Sequence, residues 1–265
     1  MDKKVQIMGI LNTTPDSFSD GGSFLDKEKA TKQAKKLLAD GAHIIDIGGE
    51  STGPGAEKVN LEEELSRTIP VIESLARICT VSIDTYKSSV ADKALCLGAK
   101  IVNDVTALRA DPEMKHVVAN HKAKVVLMYS KQDASTPHAS KEARNYQDVI
   151  LEISEFLDQQ VSQALAAGVS ENNIILDPGM GGFVSPDPKY SWEILERLEE
   201  LSERFKNFEI LIGTSRKGFL GGDISKRDPI SALTALSAAT KGANIIRTHN
   251  AQLTKEFLEK GSKLF

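Results

Sequence analysis

The chain has 265 residues, 33 Lys plus Arg against 37 Asp plus Glu, and a formal net charge of −4 at pH 7. Hydrophobic residues make up 40%. With Gly added, the total sits near the globular average of about 45–50%, which excludes long disorder, collagen-like repeats and coiled-coil rods. The slightly acidic balance is poor footing for a nucleic-acid binder but leaves room for a local anion site.

A chain of this length buries about three quarters of its unfolded surface and needs no disulfide or metal staple. Its two cysteines, Cys79 and Cys96, form no Cys-x-x-Cys or Cys/His pattern and are expected as buried thiols in a reducing compartment. The opening MDKKVQIMGILN holds too short an apolar run for a signal peptide, and no apolar run reaches the roughly 18 residues of a membrane span. The expectation is a soluble cytoplasmic protein with neither a membrane nor a nucleic-acid partner.

Short apolar, β-branched runs recur along the chain at Val5–Leu11, His43–Ile47, Thr80–Ile83, Lys100–Val102, Lys124–Met128, Asn173–Leu176, Glu209–Ile212 and Asn244–Ile246. Continuous apolar runs of this length read as strands buried on both faces, as in parallel sheets. Amphipathic helical stretches alternate with them. Asp26 caps the first, which Gly41 closes; Asn60 opens the second, with Glu63 at the capping-box position and Pro70 set to kink or split it. Tyr86–Leu97, a short helix after Asp111-Pro112, Asn145–Ala167, Asp187–Phe205, Pro229–Lys241 and Gln252–Lys263 complete the series. Eight strand signals, each followed by a helix signal, predict one (β/α)₈ TIM barrel over residues 1–265. A doubly wound open sheet is the alternative, and it lacks the Gly-x-Gly-x-x-Gly turn after its first strand.

Polar residues gather where the strands end: Asn12; Asp46 and Glu50; Asp84; Asn103 and Asp104; Tyr129 and Ser130; Asp177; Ser215, Arg216 and Lys217; Arg247 and His249. In a barrel these ends converge on the active-site face. Asp84, Asn103 and Asp177 offer acceptors and an amide suited to a flat heterocycle with several N–H groups. Lys217, Arg247 and His249 suit a phosphate or pyrophosphate, at the place where barrels often hold one. A phosphorylated heterocycle is the implied ligand. Two Gly-rich segments, TTPDSFSDGG (13–22) and STGPGAE (51–57), read as lids, with Phe18 able to cover a bound ring. Of Arg216 and Lys217, strand alternation lets one enter the cleft, leaving the other to pair with a carboxylate.

ILNTTPDSFSDGG (10–22), DIGGESTGPGAE (46–57), SIDTYK (82–87), VNDVT (102–106), LDPGMG (176–181), TSRKGFLG (214–221) and IRTH (246–249) together resemble the dihydropteroate synthase family, in family order from first strand to last. The resemblance implies condensation of 6-hydroxymethyl-7,8-dihydropterin diphosphate with p-aminobenzoate. By that match Asp84, Asn103, Asp177, Lys217 and Met128 would hold the pterin. Arg247, His249 and Asn12 would hold the diphosphate, with Asn12 also at a Mg²⁺. Thr52, Ser215 and Phe18 would form the p-aminobenzoate pocket. Asp84, Lys217 and Asn12 would carry the catalysis. A homodimer through helices remote from the active face is also implied.

Several positions depart from the family pattern. Gly53 stands where the second loop has Arg in ESTRPGAE. Tyr129-Ser130 stands where the fifth strand ends in Met-His-Met. Met180-Gly181-Gly182-Phe183-Val184 lacks the Lys of the family segment, and Asn250 follows Arg247-Thr248-His249 in place of Asp. These departures sit on the p-aminobenzoate side and carry the expectation of altered handling of p-aminobenzoate and of the sulfonamides that mimic it. Two alternatives stay open: a methyltransferase acting on methyltetrahydrofolate, and a pterin-binding paralogue with weak or no synthase activity. His43, His116, His121 and His138 are read as structural or surface residues, and 131–144 as a long surface loop.

Overall fold

The computed structural model describes residues 5–14, 23–53, 55–133 and 137–261. Eight parallel strands close in sequence order into a barrel: β1 Gln6–Asn12, β2 Ile44–Gly48, β3 Thr80–Asp84, β4 Ile101–Asp104, β5 Lys124–Met128, β6 Ile174–Asp177, β7 Glu209–Ile212 and β8 Ile245–Thr248. The seam is β8 against β1, where Ile7 pairs with Ile246. Helices α1 Ser23–Ala39, α2 Leu61–Leu75, α3 Ser88–Cys96, α4 Met114–His121, α5 Val149–Ala166, α6 Pro188–Glu196, α7 Leu198–Arg204, α8 Asp228–Thr240 and α9 Ala251–Gly261 form the outer ring.

Period-2 alternation divides each strand between two cores. Met8, Ile44, Ile101, Val126, Ile175, Leu211 and Ile245 point into the barrel and form one buried cluster. Their neighbours, such as Ile7, Ile45, Val102, Val125 and Leu176, point outward into the layer between sheet and helices.

Helix boundaries follow capping chemistry. Asn60 Oδ1 accepts from Glu63 N at 2.9 Å, and Asp148 Oδ1 accepts from Ile150 N and Leu151 N at 2.9 and 3.1 Å. Asp148, not Asn145, therefore sets the start of α5. Helix α1 begins at Ser23, three residues before the expected start at Asp26. Pro70 does not split α2, which runs unbroken past it. The buried face of Thr68, Val71, Ile72 and Leu75 outweighs the one backbone bond that a proline removes. The expected Asp187–Phe205 helix is two helices meeting at Arg197, whose guanidinium binds Asp148, Glu193 and Glu200. No helix among the described residues is long and apolar enough to cross a membrane.

Candidate active site

Six of the strands run one or two residues past their expected ends, so that Asn12, Gly48, Asp84, Asn103 and Asp104, Asp177, and Arg247 and Thr248 belong to the strands themselves. Their orientation is then fixed by parity. Two residues beyond each inner core side chain the same face recurs, taking Ile44 to Asp46, Ile101 to Asn103, Val126 to Met128, Ile175 to Asp177 and Ile245 to Arg247. The chemistry is thus the next layer above the apolar core. Over it opens a cavity of about 830 Å³ whose lining includes Asn12, Thr52, Asp84, Ser215, Lys217 and Arg247.

Arg247 is tied to the barrel floor. Its Nε donates to Asp46 Oδ2 and its Nη2 to Asp84 Oδ2, both at 2.6 Å. Asn103 Nδ2 donates to the same Asp46 oxygen at 3.0 Å. Burial works against the Arg247 charge, but the Asp46 and Asp84 carboxylates outweigh it and hold the group firmly protonated. Burial pushes the Asp84 carboxyl up to about 7; Arg247 pulls it back, and the carboxylates of Asp46, Glu64 and Asp104 push it up again.

Asp177 and Lys217 form the second charged pair. Burial raises the Asp177 carboxyl to about 6 against the attraction of Lys217. Burial lowers the Lys217 ammonium to about 8, with Asp177 acting to restore it. Lys217 Nζ also donates to Met180 O at 3.2 Å and lies 4.9 Å from the centre of the Phe183 ring. Asp177 Oδ1 accepts from Gly179 N at 2.7 Å. Gly179 has φ of +69°, and a Cβ there would lie 2.3 Å from Tyr129 O, so the Asp-Pro-Gly turn tolerates no side chain.

Lys217 enters the cleft for a reason other than alternation. β7 ends at Ile212, and residues 214–217 form a turn closed by Lys217 N to Thr214 O at 3.1 Å, with Arg216 at φ +58°. Arg216 turns to Asp228, with bonds of 2.7 and 3.0 Å. Ser215 Oγ meets His249 Nδ1 at 2.9 Å and accepts from His249 N at 3.1 Å. Burial, then the charges of Arg247 and Arg216, drives His249 down to about 3, so its ring is a neutral hydrogen-bonding group at physiological pH. The Asn12 amide makes no hydrogen bond to the described residues. Its oxygen is a hard neutral donor beside the Arg247–His249 corner, and that donor chemistry fits Mg²⁺, which takes few protein ligands and relies on phosphate oxygens and waters.

The structure does not set all the expected residues on the cavity wall. Asn103 and Asp177 lie just beneath the lining, buried at 4% and 7% exposure. Met128 sits behind it, clustered with Val105, Ala139 and Phe183. Phe18 and most of the first Gly-rich segment lie outside the described residues. Tyr129 faces away from the mouth; its hydroxyl lies within hydrogen-bonding distance of Tyr146 Oη and Glu152 Oε1, at 3.2 and 3.1 Å.

The rim holds groups that sequence reasoning left without a role. Glu50, buried at 7% exposure, accepts from Tyr86 Oη at 2.8 Å and Lys87 Nζ at 2.5 Å and lies 3.1 Å from His138 Nε2. Lys87 also binds Glu64. The network ties the second loop to the start of α3 and to the loop after β5. Its signal was present only as Glu50 among the strand-end residues. Cys96 corrects an expectation: it is exposed, and Cys79 is half-buried. Cys96 lies near Asp92 and His121, the last bonded to Asp92 at 2.7 Å. His121 ends α4 just before β5 begins, so this group is on the face opposite the cavity.

The "Pterin binding enzyme" family model matches residues 8–249. The chain is 40% identical to the dihydropteroate synthase of a Synechocystis species, over 99% of this chain and 91% of that one. It superposes with a TM-score of 0.90 on the dihydropteroate synthase of Clostridium difficile solved with pteroic acid, at 38% identity over 100% and 98% of the two chains. The Xanthomonas albilineans dihydropteroate synthase solved with 4-aminobenzoic acid gives a TM-score of 0.90 at 36% identity, over 98% and 93%. The chain belongs to the pterin-binding enzyme family.

Proposed function

We propose that the chain joins 6-hydroxymethyl-7,8-dihydropterin diphosphate to p-aminobenzoate, releasing 7,8-dihydropteroate and pyrophosphate, the dihydropteroate synthase reaction of folate biosynthesis. One observation carries this reading most: a buried acceptor set on the floor adjoins an anion corner through Arg247, in a single cavity. Asp177, Asn103, Asp84 and Lys217 bind the pterin ring, backed by Met128. Arg247 has five N–H donors, of which two are spent on Asp46 and Asp84; the remaining three face the diphosphate with His249 and Asn12. Thr52 and Ser215 wall the p-aminobenzoate end.

The C–O bond between the pterin methylene and the diphosphate breaks, with its electron pair leaving on pyrophosphate. Arg247 stabilises the developing negative charge. The Asp84 carboxylate stabilises the electron-poor methylene. The amine of p-aminobenzoate then forms the new C–N bond and gives up a proton, which the departing pyrophosphate accepts directly or through solvent. No covalent enzyme intermediate is involved. Mg²⁺, when bound, adds further neutralisation of the diphosphate oxygens, and Asn12 Oδ1 is the residue that would hold it.

Turnover with the pterin diphosphate, p-aminobenzoate and Mg²⁺, read as released pyrophosphate and dihydropteroate, tests the reading. Turnover abolished by chelation and restored by Mg²⁺ supports both the reaction and the metal. Pterin binding without turnover overturns the reaction in favour of a binding paralogue. A homodimer and a cytoplasmic location accompany the reading on the strength of the resemblance; light scattering that gives a monomer mass removes the first.

A further inference from the structure

We infer that Lys141, on the loop after β5, is the cation that receives the carboxylate of the aminobenzoate substrate, in place of the side chain absent at Gly53. The inference rests on the reaction proposed above. A benzoate carboxylate at a cavity mouth calls for a donor whose charge is not already consumed. Among the described residues the cavity is lined by five Lys and Arg side chains: Lys141, Arg216, Lys217, Arg227 and Arg247. Four are committed. Arg247 serves Asp46 and Asp84. Arg216 is paired bidentately with Asp228. Lys217 is held at Met180 O beside Asp177. Arg227 is clipped to the backbone oxygens of Arg216, Gly221 and Gly222 at 2.8–2.9 Å. Lys141 alone makes no hydrogen bond or ion pair to the described residues, and its side chain is exposed.

The loop that carries it is fastened on both sides. Ala139 N donates to Thr52 O at 2.9 Å and Ser140 N to Gly182 O at 3.2 Å. His138 Nε2 stands 3.1 Å from Glu50 Oε1. Residues 138–140 thus bridge the loops after β2 and β6, the two segments in which family cations are missing at Gly53 and beyond Phe183. Lys141 follows directly on that bridge, at the cavity mouth.

The test is steady-state kinetics of Lys141→Met and Lys141→Arg against both substrates, with 4-aminobenzamide as an amine of the same shape without the negative charge. For Lys141→Met, KM for p-aminobenzoate should rise about fivefold, the size of a partly exposed ion pair. The increase should shrink as salt is raised. KM for the pterin diphosphate should not move, nor should KM for 4-aminobenzamide, and Lys141→Arg should restore the parent value. An unchanged p-aminobenzoate KM in Lys141→Met overturns the assignment, as does an equal rise for the amide. If the parent chain itself turns over neither amine, the failure lies with the proposed reaction and not with Lys141.

Discussion

The floor of the cavity and its rim are built differently. The floor is made of strand residues: Asp46, Asp84, Asn103, Asp177 and Arg247 stand at parity-fixed positions, and all but Asp177 are locked together by short bonds. The rim is made of loops, 51–53, 137–142 and 181–186, joined by a few backbone bonds and one buried hub at Glu50. A strand residue cannot be replaced from elsewhere, because only that register reaches that point. A loop cation can be supplied from another loop. Every departure from the family pattern that borders the cavity falls on the rim, and the floor keeps the family's residues. Binding of the pterin end therefore resists sequence drift more than binding of the aminobenzoate end.

The sharpest way to break this comparison is at the floor. Asp84→Asn should lower turnover by about 10²–10³-fold, the range for loss of a group aimed at developing charge. Full turnover in steady-state assays with normal pterin affinity would falsify the role given to that carboxylate.

Asp177 supplies a stability test with a defined sign. Its carboxyl titrates near 6 in the fold instead of 3.8 because burial disfavours the charge. The folded state therefore binds more protons than the unfolded one between about pH 4 and 6. Its contribution to stability is present below that window and is lost as pH rises through it. Asp177→Asn should lack this slope, so its stability relative to the parent should improve by about 2–3 kcal/mol from pH 4 to pH 7. Urea denaturation at several pH values reads the difference, and parallel curves would show that burial is not what shifts Asp177.

On the rim, Glu50→Gln weakens one of the two carboxylate contacts of Lys87 and the link to His138. A cost of about 1–3 kcal/mol is expected for a buried charged hydrogen bond. It should appear in thermal unfolding together with a raised KM for p-aminobenzoate and an unmoved KM for the pterin diphosphate. An equal rise in both would mean that Glu50 supports floor and rim alike. The smallest effect belongs to Gly53→Arg. A Cβ at Gly53 would meet only Ser51 Oγ, at 3.4 Å, so stability should stay within about 0.5 kcal/mol. The p-aminobenzoate KM should fall, more so when combined with Lys141→Met.

Much of the floor was legible because it obeys local rules. β-branched runs marked all eight strands, and polar residues closing several of them, such as Asp84, Asn103 and Asp177, marked the mouth. Strand ends came out short because a polar residue such as Asp84 or Arg247 interrupts an apolar pattern without interrupting the ladder. What was not legible depends on groups distant in sequence. Glu50 meets Lys87, 37 positions on. The 138–140 bridge depends on carbonyls at Thr52 and Gly182. Cys96 was expected inside from residue type, but it lies on the outer face of α3, where helix position decides. Pro70 and Arg197 show the converse: tertiary contacts kept one helix whole and divided another where propensity suggested otherwise.

The tether of Arg247 bears on how the site meets an arriving anion. Asp46 and Asp84 each take one N–H of the guanidinium, so the group is aimed before any ligand is present. The donors left over need not be ordered when an anion docks against them, because the cost of holding the side chain was met on folding. A long cation free to rotate would lose that freedom anew at every encounter. The two carboxylates beneath the arginine thus act as a jig, holding the donor set in one orientation from one turnover to the next.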